Sequence, residues 1–259
     1  MDARFWSRAV ASFARNLRHR EFVASVATAG LRADSEPRAV KTRLHLAFPE
    51  TRGLTVPMGD VRYRIWNMDP LELYSVAVLV GARQPKTIFE IGTFDGATTL
   101  MMARMAPDAQ VFTLDLAPED LGDDGLLTRV HANAGGVGSR FSQAPEGRHV
   151  TQLYGDSRTF DFSPYYGRMD LVLVDGGHEA DCVEPDTANA LKMVAPGGLV
   201  VWDDYSRGWP AVVAAVDGVA ERRGLRMVHL VPSEIAVYQA PSEPTAAADR
   251  EAQALLERS

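Results

Sequence analysis

The stretch KTIFEIGTFDGATT, residues 86–99, decides the fold. Lys86 to Ile91 read as a strand, Ala97 onward reads as a helix, and Gly92 and Gly96 sit in the turn between them. A glycine turn between strand and helix lets a ligand approach the backbone, while the helix N-terminus offers free N–H groups. In open α/β sheets this is where a cofactor binds.

The same alternation continues along the chain. Strand-like runs occupy 111–115, 149–154, 170–175, 198–203, 225–230 and 234–239. Helical patterns fall at Leu71–Ala82, behind an Asp69-Pro70 start signal, and at 97–106, about 181–194 and 209–222. Continuous aliphatic strands separated by helices predict a doubly wound, mainly parallel α/β sheet covered on both faces. Only the turn around Pro232 and Ser233 separates the last two strands, so they can pair antiparallel. The longer, Gly- and Asp-rich connection 117–148 is an insertion of the kind that lines a site.

The sequence divides into an N-terminal helical extension (1–66), a cofactor-binding domain (67–240) and a solvated tail (241–259). In the extension, Phe5, Trp6, Ala9, Val10, Phe13 and Leu17 share one helical face, with Arg4, Arg8, Arg15 and Arg18 largely opposite. Such a face packs on its own domain or on a second copy, so a homodimer is an expectation; membrane or RNA binding and a transit peptide are the other readings. Residues 30–57 read as short helices and loops.

Bulk properties narrow the class. With 46% hydrophobic and 24% charged residues the 259-residue chain is an ordinary globular protein. No apolar stretch approaches the ~20 residues that span a bilayer, and no secretory signal opens the chain. The single cysteine, Cys182, excludes an internal disulfide and fits the cytoplasm. A net charge of −7 argues against nucleic acid as a partner.

The turn's spacing selects among cofactors. Phe94 stands where a dinucleotide fingerprint needs glycine, and there is no P-loop lysine. Glu90 would repel a pyrophosphate and suits a cationic group such as an amino acid's ammonium. Asp115, ending the second strand, can accept both hydroxyls of a ribose. Gly155-Asp156-Ser157 end the third strand at the same edge, where an adenine would meet a short polar loop.

Together, Glu-Ile-Gly-x-x-x-Gly-x-Thr (90–98), an acid after the second strand, Tyr-Gly-Asp-Ser (154–157), Asp-Gly-Gly-His (175–178) and Ala-Pro-Gly-Gly (195–198) resemble the class I S-adenosylmethionine-dependent methyltransferases over residues 69–239. The resemblance implies seven strands in the order 3-2-1-4-5-7-6, the seventh antiparallel. It also implies that Glu90, Gly92 and Thr93 hold the methionine end, that Gly96, Ala97 and Thr98 form the helix start beneath it, and that Asp115 holds the ribose. Gly155, Asp156 and Ser157 would border the adenine, with Asp175 at the floor of the cofactor site.

Residues 171–181, LVLVDGGHEAD, then raise their own question, since a buried strand ends in a charge, two glycines and an imidazole. Asp175 ends the fourth strand, and Gly176 and Gly177 are expected to turn the chain so that His178 starts the next helix beside a substrate. The adjacent fifth strand ends in Asp203 and Asp204. Three crowded carboxylates raise one another's pKa, and a divalent cation offsets the repulsion. The set resembles that of the metal-dependent O-methyltransferases of macrolide and aminocoumarin tailoring, which implies Mg2+ on Asp175, Asp203 and Asp204 and His178 as general base. A helix-start role for His178, and capping or an ion pair with Arg207 for the two aspartates, are the structural readings. Zinc on His178 and Cys182 lacks further soft ligands.

The resulting expectation is an O-methyltransferase for a small hydroxylated molecule such as a natural product or sugar. Trp202, Tyr205 and Trp209 are candidate walls for the acceptor. A non-catalytic S-adenosylmethionine binder has no use for the base. A nicotinamide oxidoreductase is disfavoured by the glycine spacing and the lack of a Tyr-x-x-x-Lys pair. A nucleic-acid methyltransferase is disfavoured by the acidic balance.

Overall fold

The computed structural model describes residues 37–58, 64, 66–121 and 126–242. The amphipathic face at 5–17, the dimer it suggested and most of the tail lie outside these residues. So do residues Gly122 to Gly125 of the insertion.

The strands are β1 (Val40–Thr42), β2 (Thr87–Ile91), β3 (Gln110–Asp115), β4 (Val150–Tyr154), β5 (Met169–Val174), β6 (Val194–Trp202), β7 (Met227–Leu230) and β8 (Ile235–Gln239). They form one sheet in the order β4-β3-β2-β5-β6-β8-β7-β1. Its first seven members are the expected 3-2-1-4-5-7-6. All pairings are parallel except those of β8, which runs antiparallel to β6 and β7.

The eighth strand is a correction. Val40 to Thr42 pair with Val228 to Leu230 inside a segment read as helices and loops. Three residues at a sheet edge are too few to show a period of two. Leu44 and Phe48, just beyond, are buried in the core. β6 also begins at Val194 rather than Gly198. The Ala-Pro-Gly-Gly run lies within it, where the pairing with β5 shifts register between Met169 and Leu171.

The described α-helices are α1 (Leu44–Ala47), α2 (Pro70–Arg83), α3 (Ala97–Met105), α4 (Leu126–Ala134), α5 (Ser139–Ser142), α6 (Ala180–Met193) and α7 (Pro210–Arg223). Asp69 caps α2 by accepting from Leu71 N at 3.0 Å, and Glu72 answers by accepting from Asp69 N at 3.0 Å. This reciprocal box fixes where the helix starts. On one face of the sheet Val76, Leu79, Met101 and Met102 pack over Ile88 and Leu171. On the other, Val183, Met193, Val213 and Val216 pack over Phe89 and Val172. Each such fully buried apolar side chain contributes about 1.5–3 kcal/mol. The sandwich leaves the carboxyl ends of β2 to β6 as a rigid rim. Among the described residues, no helix is long and apolar enough to cross a membrane.

Candidate active site

The turn after β2 is tighter than its sequence suggests. Gly92 has φ +99°, and a Cβ there would stand 1.8 Å from the carbonyl oxygen of Asp175. Gly92 N donates to Leu114 O at 2.8 Å, while Asp175 N donates to Ile91 O at 2.8 Å. The glycine is therefore demanded by the neighbouring strand end, whatever binds above it. Phe94, without glycine's freedom, holds φ +48°. Its N–H donates to Asp115 Oδ2 at 2.6 Å and its carbonyl accepts from Gly138 N at 2.9 Å.

Asp115 serves this loop throughout. Oδ2 also accepts from Thr93 N at 3.0 Å, and Oδ1 accepts from Leu116 N at 2.7 Å. A carboxylate has about four acceptor positions, so about one is left for a ribose hydroxyl. Glu90 is fully buried; its Oε2 accepts from the Thr113 hydroxyl at 2.6 Å and the Thr99 hydroxyl at 2.5 Å. Its Oε1 has no partner. Burial pushes the Glu90 pKa up to about 8, against the pull of the two hydroxyls.

Gly96, at φ +79°, precedes α3, and a Cβ on it would stand 2.5 Å from the Phe141 ring. The insertion thus packs directly on the turn. Thr98 is buried in α3. Asp95, absent from the sequence-based set, anchors this contact. Fully buried, it accepts from Ala97 N (3.1 Å), Asn67 Nδ2 (2.9 Å) and Arg140 Nε (2.8 Å). An aspartate two residues before a helix start was a readable signal for part of this role. The partners from 67 and 140 were not.

At the next strand end Gly155 N donates to Asp115 O at 2.9 Å. Asp156 is held by the Arg158 guanidinium at 2.6 to 3.1 Å, which lowers its pKa, and Ser157 is half-buried beside it.

The acid cluster assembles as expected. Ligand oxygens of Asp175, Asp203 and Asp204 lie within 4.8 Å of one another. Consecutive residues on a strand point to opposite faces, so two adjacent aspartates reach one site only if the backbone kinks. Asp204 supplies the kink with φ +57°, a left-handed conformation that aspartate tolerates. Burial and then the neighbouring carboxylates push Asp175 and Asp203 well above the usual carboxylate range. Asp203 Oδ1 is buried without a partner. A group of oxygen donors in this state fits a hard divalent cation.

His178 is brought to the same place. Its Nε2 is 2.6 Å from Asp204 Oδ2, and its ring stacks on Trp209 at 4.1 Å and 19°. It precedes α6 by two residues rather than opening it, so no i,i+4 pair with Cys182 forms. Gly176 and Gly177 carry no positive φ; a Cβ on Gly177 would press on Cys182 at 3.1 Å, whereas one on Gly176 would meet Ile91 at an ordinary 3.4 Å. A small cleft here is lined by Val174, Asp175, His178, Trp202, Asp203 and Val212. Of the three aromatic candidates, Trp202 and Tyr205 are core side chains, bonded to Thr187 and Asp217 respectively. Trp202 closes the cleft from the core side, and Trp209 flanks it by stacking on His178.

A family described as a methyltransferase domain matches residues 89–205, which hold Glu90, Gly92, Thr93, Gly96, Asp115, Asp175, His178, Asp203 and Asp204 but not Trp209. The match covers a little under half of the chain.

A catechol O-methyltransferase of Mycobacterium tuberculosis is 29% identical to the chain over 158 residues, 59% of this chain and 64% of that protein. The chain therefore spans somewhat under two thirds of that relative's length. Among solved structures, the O-methyltransferase TomG from Streptomyces achromogenes, in complex with SAM, covers 68% of this chain and 82% of its own. It does so at a TM-score of 0.51 and 23% identity. An O-methyltransferase from Bacillus cereus, in complex with SAH, gives 0.52 at 17% identity, covering 68% and 84%. These likenesses establish the shared fold. The structure gathers the residues into two groups on one rim. Glu90, Gly92, Thr93, Gly96 and Asp115 surround the first turn, and Asp175, His178, Asp203 and Asp204 surround the cleft beside it.

Proposed function

We propose that the protein is an S-adenosylmethionine-dependent O-methyltransferase acting on a hydroxyl of a small molecule. The observation that carries the reading is three carboxylates within 4.8 Å of one another, with an imidazole 2.6 Å from one of them. They stand on the rim of a methyltransferase domain, where ligands of doubly wound sheets bind.

The cofactor's methionine end would lie over Thr93 and the start of α3, with the partnerless Oε1 of Glu90 at the end of β2 available to it. Asp115 offers its remaining acceptor position to the ribose, and Gly155 to Ser157 border the adenine. Asp175, Asp203 and Asp204 would hold a divalent cation, with Mg2+ the choice for an all-oxygen set. Such an ion would offset their repulsion and lower the pKa of an acceptor hydroxyl.

His178 moves the proton. A neutral imidazole facing a carboxylate donates through Nε2 to Asp204, which leaves Nδ1 as the basic nitrogen. Nδ1 takes the hydroxyl proton as the oxygen attacks the methyl group, and the Trp209 ring holds the imidazole in plane. Methyl transfer from a sulfonium needs little beyond this, because the donor is already activated and the remaining task is in-line placement.

Calorimetric titration with S-adenosylhomocysteine tests the reading. Stoichiometric binding, followed by Mg2+-stimulated methylation of a hydroxylated acceptor, is the expected result. A folded protein that does not bind this nucleoside ends it.

A further inference from the structure

The turn after β2 does not support itself. Phe94 holds φ +48° without glycine's freedom, and such a conformation persists only where surrounding contacts fix it. Asp115 fixes it from the β3 side, through Thr93 N and Phe94 N. The insertion fixes the other side. Gly138 N donates to Phe94 O and Arg140 N donates to Asp95 O, both at 2.9 Å. The Phe141 ring is wedged between Gly96 and Gly138, since a Cβ on either glycine would stand 2.5 Å from it.

One carboxylate locks this contact. Asp95 is fully buried, and its two oxygens serve different segments. Oδ1 accepts from Ala97 N and from Asn67 Nδ2, whereas Oδ2 accepts from Arg140 Nε at 2.8 Å. Arg140 in turn donates from Nη2 to Asn67 Oδ1 at 3.2 Å. Segments at 67, 94–97 and 138–141 therefore close on one buried ion pair. Removing one partner of such a pair leaves the other's charge unmet.

We propose that Asp95 is a positioning residue for the cofactor: by holding Arg140 and Asn67 it keeps the insertion docked, and the turn keeps its cofactor-binding shape only while the insertion is docked. This rests on the reading of S-adenosylmethionine at this rim. It gives the insertion a share in cofactor affinity that needs no contact with the cofactor. The coupling is reciprocal, so a ligand at the turn must tighten the insertion.

Two measurements on the whole chain test this: calorimetric affinity for S-adenosylhomocysteine, and amide hydrogen exchange at 133–142 with and without that compound. The proteins are wild type, Asp95→Asn, Arg140→Gln and the double variant, each checked for folding by thermal melting. The amide of Asp95→Asn must turn its own N–H groups towards a donor. Facing Arg140 it opposes one donor, and facing Ala97 and Asn67 it opposes two, so the Arg140 contact is the one lost. Affinity should fall about tenfold or more, the scale of one hydrogen bond to a charged group. The ligand should slow exchange at 133–142 in wild type and no longer do so in Asp95→Asn. Arg140→Gln sets an amide where Nε stood. In the double variant its oxygen can accept from the introduced asparagine, so most of the affinity and the protection should return. A residue that served stability alone would lower the melting temperature and leave both readouts as in wild type.

Wild-type affinity in folded Asp95→Asn overturns the proposal. So does a double variant that binds no better than Asp95→Asn, or wild-type exchange at 133–142 that ignores the ligand. Should Asp95→Asn fail to fold, Arg140→Met, which lacks the donor, takes its place, and wild-type affinity there overturns the proposal equally. Wild type that binds no S-adenosylhomocysteine sinks the cofactor reading and the proposal together. Binding that wild type and the variants share sinks the Asp95 inference alone.

Discussion

Substituting Gly92 by alanine tests whether the turn is set by the protein or by its ligand. Two costs add. Holding a residue with a Cβ at φ +99° costs about 1–2 kcal/mol, the scale of left-handed conformations. The new methyl would also stand 1.8 Å from Asp175 O and 2.5 Å from its carbonyl carbon, both backbone atoms. No side-chain rotation relieves that contact, so the ends of β2 and β5 must part, at a further cost of about 1–3 kcal/mol or more. The expected loss is about 2–5 kcal/mol in total, a large fraction of the ~5–15 kcal/mol that typically holds a domain folded.

Gly224→Ala is the control. That glycine ends α7 at φ +64° with nothing within 4 Å of its missing Cβ, so it should show only the conformational cost. Urea unfolding of wild type and both variants measures the difference. Gly92→Ala should lower the midpoint by roughly 1 M more than Gly224→Ala, if the slope is ~2–3 kcal/mol/M. It should also weaken S-adenosylhomocysteine binding, since Asp175 moves with its carbonyl. Equal losses in the two variants would refute the close-approach argument and return Gly92 to a purely ligand-driven role.

The remaining predictions concern the charged groups. His178→Ala should leave S-adenosylhomocysteine affinity nearly intact and reduce turnover by about two orders of magnitude or more; wild-type turnover would remove the base. Asp204→Asn preserves the tolerance for φ +57° and should weaken Mg2+ dependence, whereas wild-type activity insensitive to chelator would remove the metal. Glu90→Gln addresses pH. With the folded pKa raised from 4.5 to about 8, wild type loses no charge-related stability at pH below 4.5 and loses it progressively as pH rises towards 8. Glu90→Gln has no such loss, so its stability relative to wild type should rise between pH 5 and pH 8 in urea titrations. A difference constant across that range would contradict the buried, proton-holding state of Glu90.

Much of the fold was written locally. Ile88, Phe89 and Ile91 are aliphatic or aromatic on both faces because β2 is covered on both, and that pattern is visible without coordinates. Asp69-Pro70 marked the start of α2 for the same reason, since capping acts over a few residues, and the structure added Glu72 as the reciprocal partner. The acids at the ends of β3, β5 and β6 could be placed at one rim because parallel strands all end at one edge.

Other features depend on contacts between distant segments. Three residues of β1 pair with β7 across 188 positions (228 − 40), and nothing local distinguishes them from a loop. Gly92 looks like a ligand-binding glycine until Asp175 O is found against it. Asp203 and Asp204 would diverge on an ideal strand, and only the left-handed turn at Asp204 brings both to Asp175. Asp186 reads as an unremarkable helix acid, because its burial depends on neighbours such as Gly176, in the loop after β5, that no helical period reveals. The sequence by itself determined the order of elements and the rim on which the chemistry sits, since both follow from short-range periodicity and strand direction. Which side chains face one another across that rim, and which are shut away from water, was decided by tertiary packing, because desolvation and close approach exist only once separate segments meet.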